Sequence, residues 1–310
     1  MTIIDLHTMR ESLAPPSSVV CLGNFDGLHL GHRALIKETI AKKEQLKKSY
    51  PDIASGACFF KILPSDYFSL GVPHLVSFEQ KLALFSELGL DYAFVTDFEE
   101  LRTQSPEDYV KRTLKGLCGC VHAVCGFNFH FGSKAAGTAE TLSHFMSGAI
   151  SVIDPVCVNG ELVSSSLIRR KIESGDVESA ATLLGRPYTL QADVLHGKAL
   201  GRTMGIPTVN QCFSAGTAIP KHGIYITSTI VNGVHFPSVS NVGIRPTVDN
   251  DNLINCETHI LDFDQDIYGE KISIEFLSRL RDEIRFDSLA QLQQQIEQDI
   301  LSARKYYKEA

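Results

Sequence analysis

Short apolar runs alternate with helical patterns along the first 184 residues. The runs SVVCL (18–22), GACFF (56–60), YAFV (92–95), VHAVC (121–125) and ISVI (150–153) are bounded by Gly, Pro or Asp. Short, continuously apolar segments of this kind predict strands buried on both faces of a parallel sheet. The segments between them carry readable helix ends. Ser77 and Gln80 make a capping box ahead of a helix that stops at Gly89. Ser105 as N-cap, Pro106 at the first helical position and Gly116 after the last predict a second helix. Repeated β-α alternation predicts an open, doubly wound α/β domain over residues 1–184.

The pattern changes beyond GRPY at 185–188. YTLQADVLH, GIYITSTIV, VHFPSVSNV, CETHILDF and KISIEFLSRL follow one another with Gly, Asn and Asp turns between them. The Asn-Gly of VNGV (231–234) is a two-residue hairpin signal. Residues 185–310 are therefore expected to form a compact antiparallel β-barrel domain. A last helix, about 288–309, opens with Ser288 and Gln291. It puts Leu289, Leu292, Ile296 and Ile300 on one face, suited to packing on that barrel.

Composition adds limits. The 310 residues are 44% hydrophobic, enough for two cores, and no run of about 18 apolar residues spans a membrane. The N-terminus lacks the basic start and apolar stretch of a signal peptide, and eight cysteines lie without framework spacing. A cytoplasmic protein with reduced thiols is expected, a monomer with small-molecule partners. The net charge of −7 opposes broad binding to nucleic acid. Lys42, Lys43, Lys47 and Lys48 end a helix and complement its dipole. Cys118, Cys120, His122 and Cys125 lie in or beside one strand whose alternate residues face opposite sides, which suits buried thiols better than a metal site.

The candidate chemistry begins at CLGNFDGLHLGH (21–32). Gly23, Asn24, Phe25, Asp26 and Gly27 fall at the carboxyl end of the first predicted central strand, where open α/β sheets bind ligands. Glycines admit phosphate close to the backbone, and the helix that follows presents free N–H groups. His29 and His32 share one face of its first turn, placed to stabilise charge on a phosphate in a transition state. A zinc pair is the other reading of two such histidines, but no third ligand follows.

GNFDGLHLGH resembles the H-x-G-H motif of nucleotidyltransferases, in the wording of the bacterial bifunctional riboflavin kinase/FAD synthetase family. GFNFHFG (126–132), VSSSLIRRKIESGDVESAATLLGRPY (163–188), GRTMGIPTVN (201–210), NVGIRPT (241–247), CETHILDFDQDIYG (256–269) and LRDEIRF (280–286) follow in that family's order. The resemblance implies a Rossmann-like nucleotidyltransferase domain that adenylylates FMN, and a six-stranded riboflavin kinase barrel that makes FMN. Riboflavin, FMN, FAD and ATP are then substrates and products, with Mg²⁺ as cofactor. It places Gly23, Asn24, Phe25, Asp26, Gly27, His29, His32, Asn128, Ser164, Ser165, Ser166 and Arg169 around ATP and flavin in the first domain. In the second it places Gly201, Arg202, Gly205, Pro207, Thr208 and Arg281 around the ligands. Thr208 and Asn210 would hold Mg²⁺, and Glu257 would be the base that takes the riboflavin 5′-hydroxyl proton.

One stretch departs from the family. Where it carries Phe-[Asp/Glu]-Pro-His-Pro, this chain has Phe60, Lys61, Ile62, Leu63 and Pro64. That keeps two further readings open: a riboflavin kinase whose first domain has lost adenylylation, and a flavin- or nucleotide-binding regulator without turnover.

Overall fold

The computed structural model describes residues 1–8, 15–196, 205–213, 216–244 and 254–309. Gly201 and Arg202 lie outside the described residues. Contacts divide the chain into two compact units, Met1–Val72 with Ser77–Ser165, and Pro73–Val76 with Ser166–Ala310.

The first unit is built on six parallel strands: β1 (Thr2–Asp5), β2 (Ser18–Leu22), β3 (Ala54–Phe60), β4 (Tyr92–Thr96), β5 (Cys120–Gly126) and β6 (Ile150–Ile153). Their spatial order is β1-β4-β3-β2-β5-β6. The five expected strands are present, and β1 is added at the edge, where its four mostly exposed residues gave no apolar run. Alternation in β2 sends Val19 and Cys21 into one core with Ala57, Phe59 and Phe85, and Val20 and Leu22 into another with Phe94, Leu114 and Ala123. The sheet is thus covered on both faces, as its unbroken apolar strands require.

Helices α1 (Leu30–Leu46), α2 (Pro64–Tyr67), α3 (Phe78–Glu87), α4 (Phe98–Leu101), α5 (Pro106–Asp108) and α6 (Ala139–Phe145) connect the strands. The capping box of α3 forms as read, with Ser77 N–H on Gln80 Oε1 at 2.9 Å and Gln80 N–H on Ser77 Oγ at 3.1 Å. The helix expected over 105–116 differs. After α5 the backbone widens into π-helical turns over Tyr109–Leu117, with Cys118 N–H on Thr113 C=O at 3.0 Å. That register leaves Leu114 and Cys118 both fully buried. A two-residue-strand hairpin, β7 (Cys157–Val158) and β8 (Glu161–Leu162), turns on Asn159 and Gly160, both at positive φ.

Cys118, Cys120 and Cys125 are buried, and His122 has its Nε2 on Ser151 Oγ at 3.0 Å. Burial pushes the Cys120 thiol up to about 12, far from a reactive thiolate. Gly119 precedes β5 at φ +60°, and a Cβ there would lie 2.1 Å from the Pro15 carbonyl oxygen. Gly119→Ala is therefore expected to destabilise the protein by about 2 kcal/mol or more. Urea unfolding reads this directly, and an unchanged midpoint would contradict it.

The second unit opens with α7 (Ser165–Ser174), whose first residue still belongs to the first unit, and α8 (Val177–Leu184). The contact-based division therefore falls at 165/166, beside the boundary expected at 184/185. The Ile172 carbonyl of α7 accepts from Lys221 N–H at 3.2 Å, and α8 packs on strands β9 (Tyr188–Asp193) and β14 (Lys271–Arg281). The buried Val177, Ala180, Leu183 and Leu184 belong to that packing rather than to the parallel sheet.

Strands β10 (Val209–Phe213), β11 (Gly223–Val231), β12 (Val234–Ile244) and β13 (Ile254–Ile260) complete an antiparallel sheet of order β10-β13-β12-β11-β14-β9. Its edges curl together where Leu195 N–H meets the Asn210 carbonyl at 2.8 Å. The Asn232-Gly233 turn joins β11 to β12, both residues at positive φ, as the hairpin signal requires. One face of the sheet carries Ile224, Ile226 and Val239 against Ala303 of the terminal helix α9 (Leu289–Glu309). The alternate residues Thr227, Ser238, Ser240 and Thr258 form a buried hydroxyl ladder with links of 2.7–2.9 Å.

Candidate active sites

The turn after β2 is at the sheet's topological switch point, because β3 leaves on one side and β5 on the other. Gly23 N–H still reaches the Cys58 carbonyl at 3.4 Å, and then the chain bends sharply. Phe25 and Leu28 adopt φ of 53° and 41°, a left-handed conformation that costs a non-glycine residue of order 1 kcal/mol each. Burial offsets that strain: both side chains are within the core, and the Phe25 ring stands 5.2 Å from both Phe85 and His32.

His29 is the N-cap of α1. Its Nδ1 accepts the His32 N–H at 3.4 Å, which puts its ring proton on Nε2. The two imidazoles stack, with centroids 3.7 Å apart and planes 17° from parallel. Gly31 makes the stack possible, since a Cβ there would stand 3.2 Å from the His29 ring. Burial, then the neighbouring His29 and Lys81, hold His32 well below the ordinary histidine range, so it is a neutral hydrogen-bonding imidazole. Its Nδ1 is buried without a partner among the described residues.

Lys81 is the residue that sequence reasoning missed. Only 5% exposed, it reaches from α3 to donate from Nζ to the Asn24 carbonyl at 2.8 Å, with the ammonium 5.3 Å over the Phe59 ring. Burial lowers it to about 8 against the pull of Asp26 and Asp66. The signal was present: Lys81 shares the helical stripe of Phe78, Leu82 and Phe85, where a cation needs a partner. On the other side of the turn, Ser165 Oγ donates to the Asp26 carbonyl at 2.8 Å. Backbone anchors from two directions therefore hold the GNFDG turn over the head of α1.

Asn128 follows β5 on an exposed loop and lends its carbonyl to His130 Nδ1 at 3.0 Å. Ser164 is half-buried just before α7, and Ser166 and Arg169 on that helix go with the second unit. The departing stretch after β3 is built by packing. Leu63 is buried, Pro64 starts α2, and Phe60, Tyr67 and Phe68 set their edges against Phe98 at 5.3–5.6 Å.

In the second unit, Asn210 on β10 sits opposite Glu257 on β13 in register. Asn210 is buried and Glu257 exposed. On the same face of β13, Asn255 donates from Nδ2 to Glu257 Oε1 at 3.0 Å and to Asn210 Oδ1 at 3.4 Å. His259, two residues further along, donates from Nδ1 to the Pro207 carbonyl at 2.7 Å. A cleft of about 360 Å³ adjoins this turn, lined by Pro207, Thr208, Phe263, Asp264 and Tyr268. Tyr268 stacks on His196 at 3.9 Å. Gly205 takes φ +73° at the entry to the turn, a conformation suited to glycine. Arg281 has Nε and Nη2 on the Asp299 carboxylate at 3.0 and 2.7 Å, and Nη1 on the Asp282 carbonyl at 3.0 Å. Its fork ties β14 to α9.

Two family models match. The one described as FAD synthetase covers residues 12–167, and the one described as riboflavin kinase covers 184–307. A bifunctional riboflavin kinase/FMN adenylyltransferase of Bacillus subtilis is 32% identical over 97% of this chain and 95% of its own. One from Listeria monocytogenes is 34% identical over 94% and 93%. The chain belongs to the bifunctional riboflavin kinase/FMN adenylyltransferase family. A crystal structure described as a macrolide-efflux protein from Streptococcus pneumoniae superposes with a TM-score of 0.85 at 28% identity, covering 98% of this chain and 99% of that one. Among the described residues, no helix of this family member is long and apolar enough to cross a membrane.

Within the family, the two halves put unlike groups at their sites. The first offers imidazole N–H groups, a buried ammonium and the head of a 17-residue helix, all suited to anions. The second offers a carboxylate and side-chain oxygens beside a partly aromatic cleft. Oxygen donors such as Asn210 Oδ1 and Thr208 Oγ1 fit a hard cation. Among the described residues no group of three His, Cys, Asp or Glu is placed to hold a metal ion.

Proposed function

We propose that the chain phosphorylates riboflavin in its barrel unit and adenylylates the resulting FMN in its parallel-sheet unit, with both sites active. The observation that carries this reading is the pairing of two intact constellations. His29 stacks on His32 at the head of α1, and Glu257 stands in register with Asn210. A binder without turnover has no use for a carboxylate held beside a cation-binding amide, which disfavours the regulator.

In the first unit the FMN phosphate oxygen attacks the α-phosphorus of ATP, and the bond to the pyrophosphate oxygen breaks. The nucleophile is already anionic, so the protein supplies position and positive charge. His29 Nε2–H and the free N–H groups of α1 face the transferring phosphate, and Lys81 keeps the turn in place. The apolar stretch around Leu63 leaves this set complete, because its own packing and the Lys81 anchor hold the edge.

In the barrel unit the nucleophile is a neutral alcohol. Glu257 takes the 5′-hydroxyl proton as the oxygen attacks the γ-phosphorus of ATP, and ADP leaves. Mg²⁺ would be held by Thr208 and Asn210 with the nucleotide's phosphates, and it would neutralise their charge. The cleft beside Phe263 and Tyr268 is where an aromatic ring can be enclosed.

The test is a time course with riboflavin, ATP and Mg²⁺, the flavins separated by chromatography. FMN is expected first and FAD afterwards. His29→Ala is expected to slow FAD formation about 10²-fold while FMN formation keeps its wild-type rate. FMN accumulating without FAD in the wild type would establish a kinase alone, and no product from riboflavin or from FMN would establish a binding protein.

A further inference from the structure

In the barrel unit, Asn255 is a buried amide two residues before Glu257, and nothing above requires an amide there. Its two N–H bonds are both used, one on the Glu257 carboxylate at 3.0 Å and one on Asn210 Oδ1 at 3.4 Å. Its own carbonyl oxygen receives the Cys212 thiol at 3.8 Å, which fixes which end of the amide faces the two functional groups. Asn255 is 6% exposed while Glu257 is exposed, so the amide is rigid and the carboxylate is otherwise free to rotate.

We propose that Asn255 is a positioning residue for riboflavin phosphorylation, clamping Glu257 and the cation-facing oxygen of Asn210 in one fixed relation. The inference rests on the reading of Asn210 and Glu257 given above. The clamp has a physical purpose. The carboxylate must meet the 5′-hydroxyl within hydrogen-bond reach, and Asn210 must present its oxygen, not its NH₂, toward the cation. One donor group meets both conditions: an N–H on Oδ1 excludes the flipped Asn210 amide, and that oxygen keeps a second lone pair for the cation. Partners behind the ligands of a cation site contribute about 10–100-fold to affinity or activity.

The experiment compares wild-type, Asn255→Leu, Asn255→Ser and Asn255→Gln full-length protein in three readouts. These are the kcat and KM for riboflavin phosphorylation, Mn²⁺ affinity in the presence of ADP by electron paramagnetic resonance, and riboflavin affinity by flavin fluorescence. Asn255→Leu is expected to lower kcat about 10–100-fold and weaken Mn²⁺ binding by a similar factor. Riboflavin affinity is expected to stay within about twofold, as for a change confined to positioning. FAD formation from added FMN is expected to be unchanged, and Asn255→Gln, which keeps the amide, to recover part of both losses. Asn255→Ser is expected to show the same losses with less disturbance of packing. Wild-type kcat and Mn²⁺ affinity in either Asn255→Leu or Asn255→Ser would overturn the proposal. A loss of riboflavin affinity with Mn²⁺ binding intact would overturn it equally. Glu257→Gln and Asn210→Ala are run beside them: if these leave FMN formation intact, the reading of the site itself fails.

Discussion

Glu257→Gln is expected to reduce phosphorylation of riboflavin about 10²–10⁴-fold while FAD is still made from added FMN at the wild-type rate. The substitution is nearly isosteric, and the new amide oxygen can still accept the Asn255 N–H that reaches Oε1 at 3.0 Å. What is lost is the capacity to take a proton. Riboflavin presents a neutral primary alcohol, so the proton must leave as the oxygen attacks phosphorus, and no other carboxylate shares the face of β13 with Asn255 and His259. Binding is expected to persist, because the cleft around Phe263 and Tyr268 is untouched. The loss then falls on kcat with KM for riboflavin within a few-fold. Adenylylation is expected to be spared because the groups proposed for it, His29, His32 and Lys81, belong to the other compact unit. Parallel loss of both activities in a folded variant would contradict this division of labour.

Lys81→Met is expected to lower adenylylation of FMN about 10²-fold and to leave FMN formation unchanged. Methionine fills much of the same space over the Phe59 ring but cannot donate to the Asn24 carbonyl, which the ammonium holds at 2.8 Å. Released, the GNFDG turn loses an anchor at a point where Phe25 and Leu28 already carry left-handed strain. The site also loses a positive charge. A pH dependence follows from burial, which lowers Lys81 from the usual 10.5 to about 8. The folded protein carries the ammonium below that value and loses it as pH rises through it. FMN adenylylation is therefore expected to fall on the alkaline side with a midpoint near 8, and Lys81→Met to lack that limb. The effect on stability has the opposite sign. Between about 8 and 10.5 the unfolded chain binds the extra proton, so this group's contribution to stability rises with pH across that window. A wild-type rate that is flat from pH 7 to 9 would remove Lys81 from the site.

Much of this was legible in the chain. The parallel strands were visible because burial on both faces leaves unbroken apolar runs, as in Val19–Leu22. The Ser77 capping box and the Asn232-Gly233 turn are local chemistry, decided within four residues, and both form as read. Elements whose stability comes from distant partners were not legible. The edge strand β1 exists through its pairing with β4, and the π-helical turns after α5 through the burial of Leu114 and Cys118. Helices α7 and α8 read as the tail of the first domain, yet the apolar face of α8 packs on β9 and β14.

The sequence by itself determined the two architectures, the GNFDGLHLGH turn at the end of a buried strand, and the family to which both halves belong. It could do so because periodicity, caps and glycine turns are encoded over short stretches. Tertiary structure alone decided which groups surround those motifs. Lys81 reaches Asn24, Ser165 reaches Asp26, and Asn255 joins Glu257 to Asn210. It also directed Arg281 onto Asp299 of the terminal helix. Apart from the Asn255–Glu257 link, these contacts join residues far apart in the chain, and burial sets their strength, since a cation or amide removed from water must find its partner wherever the fold brings one.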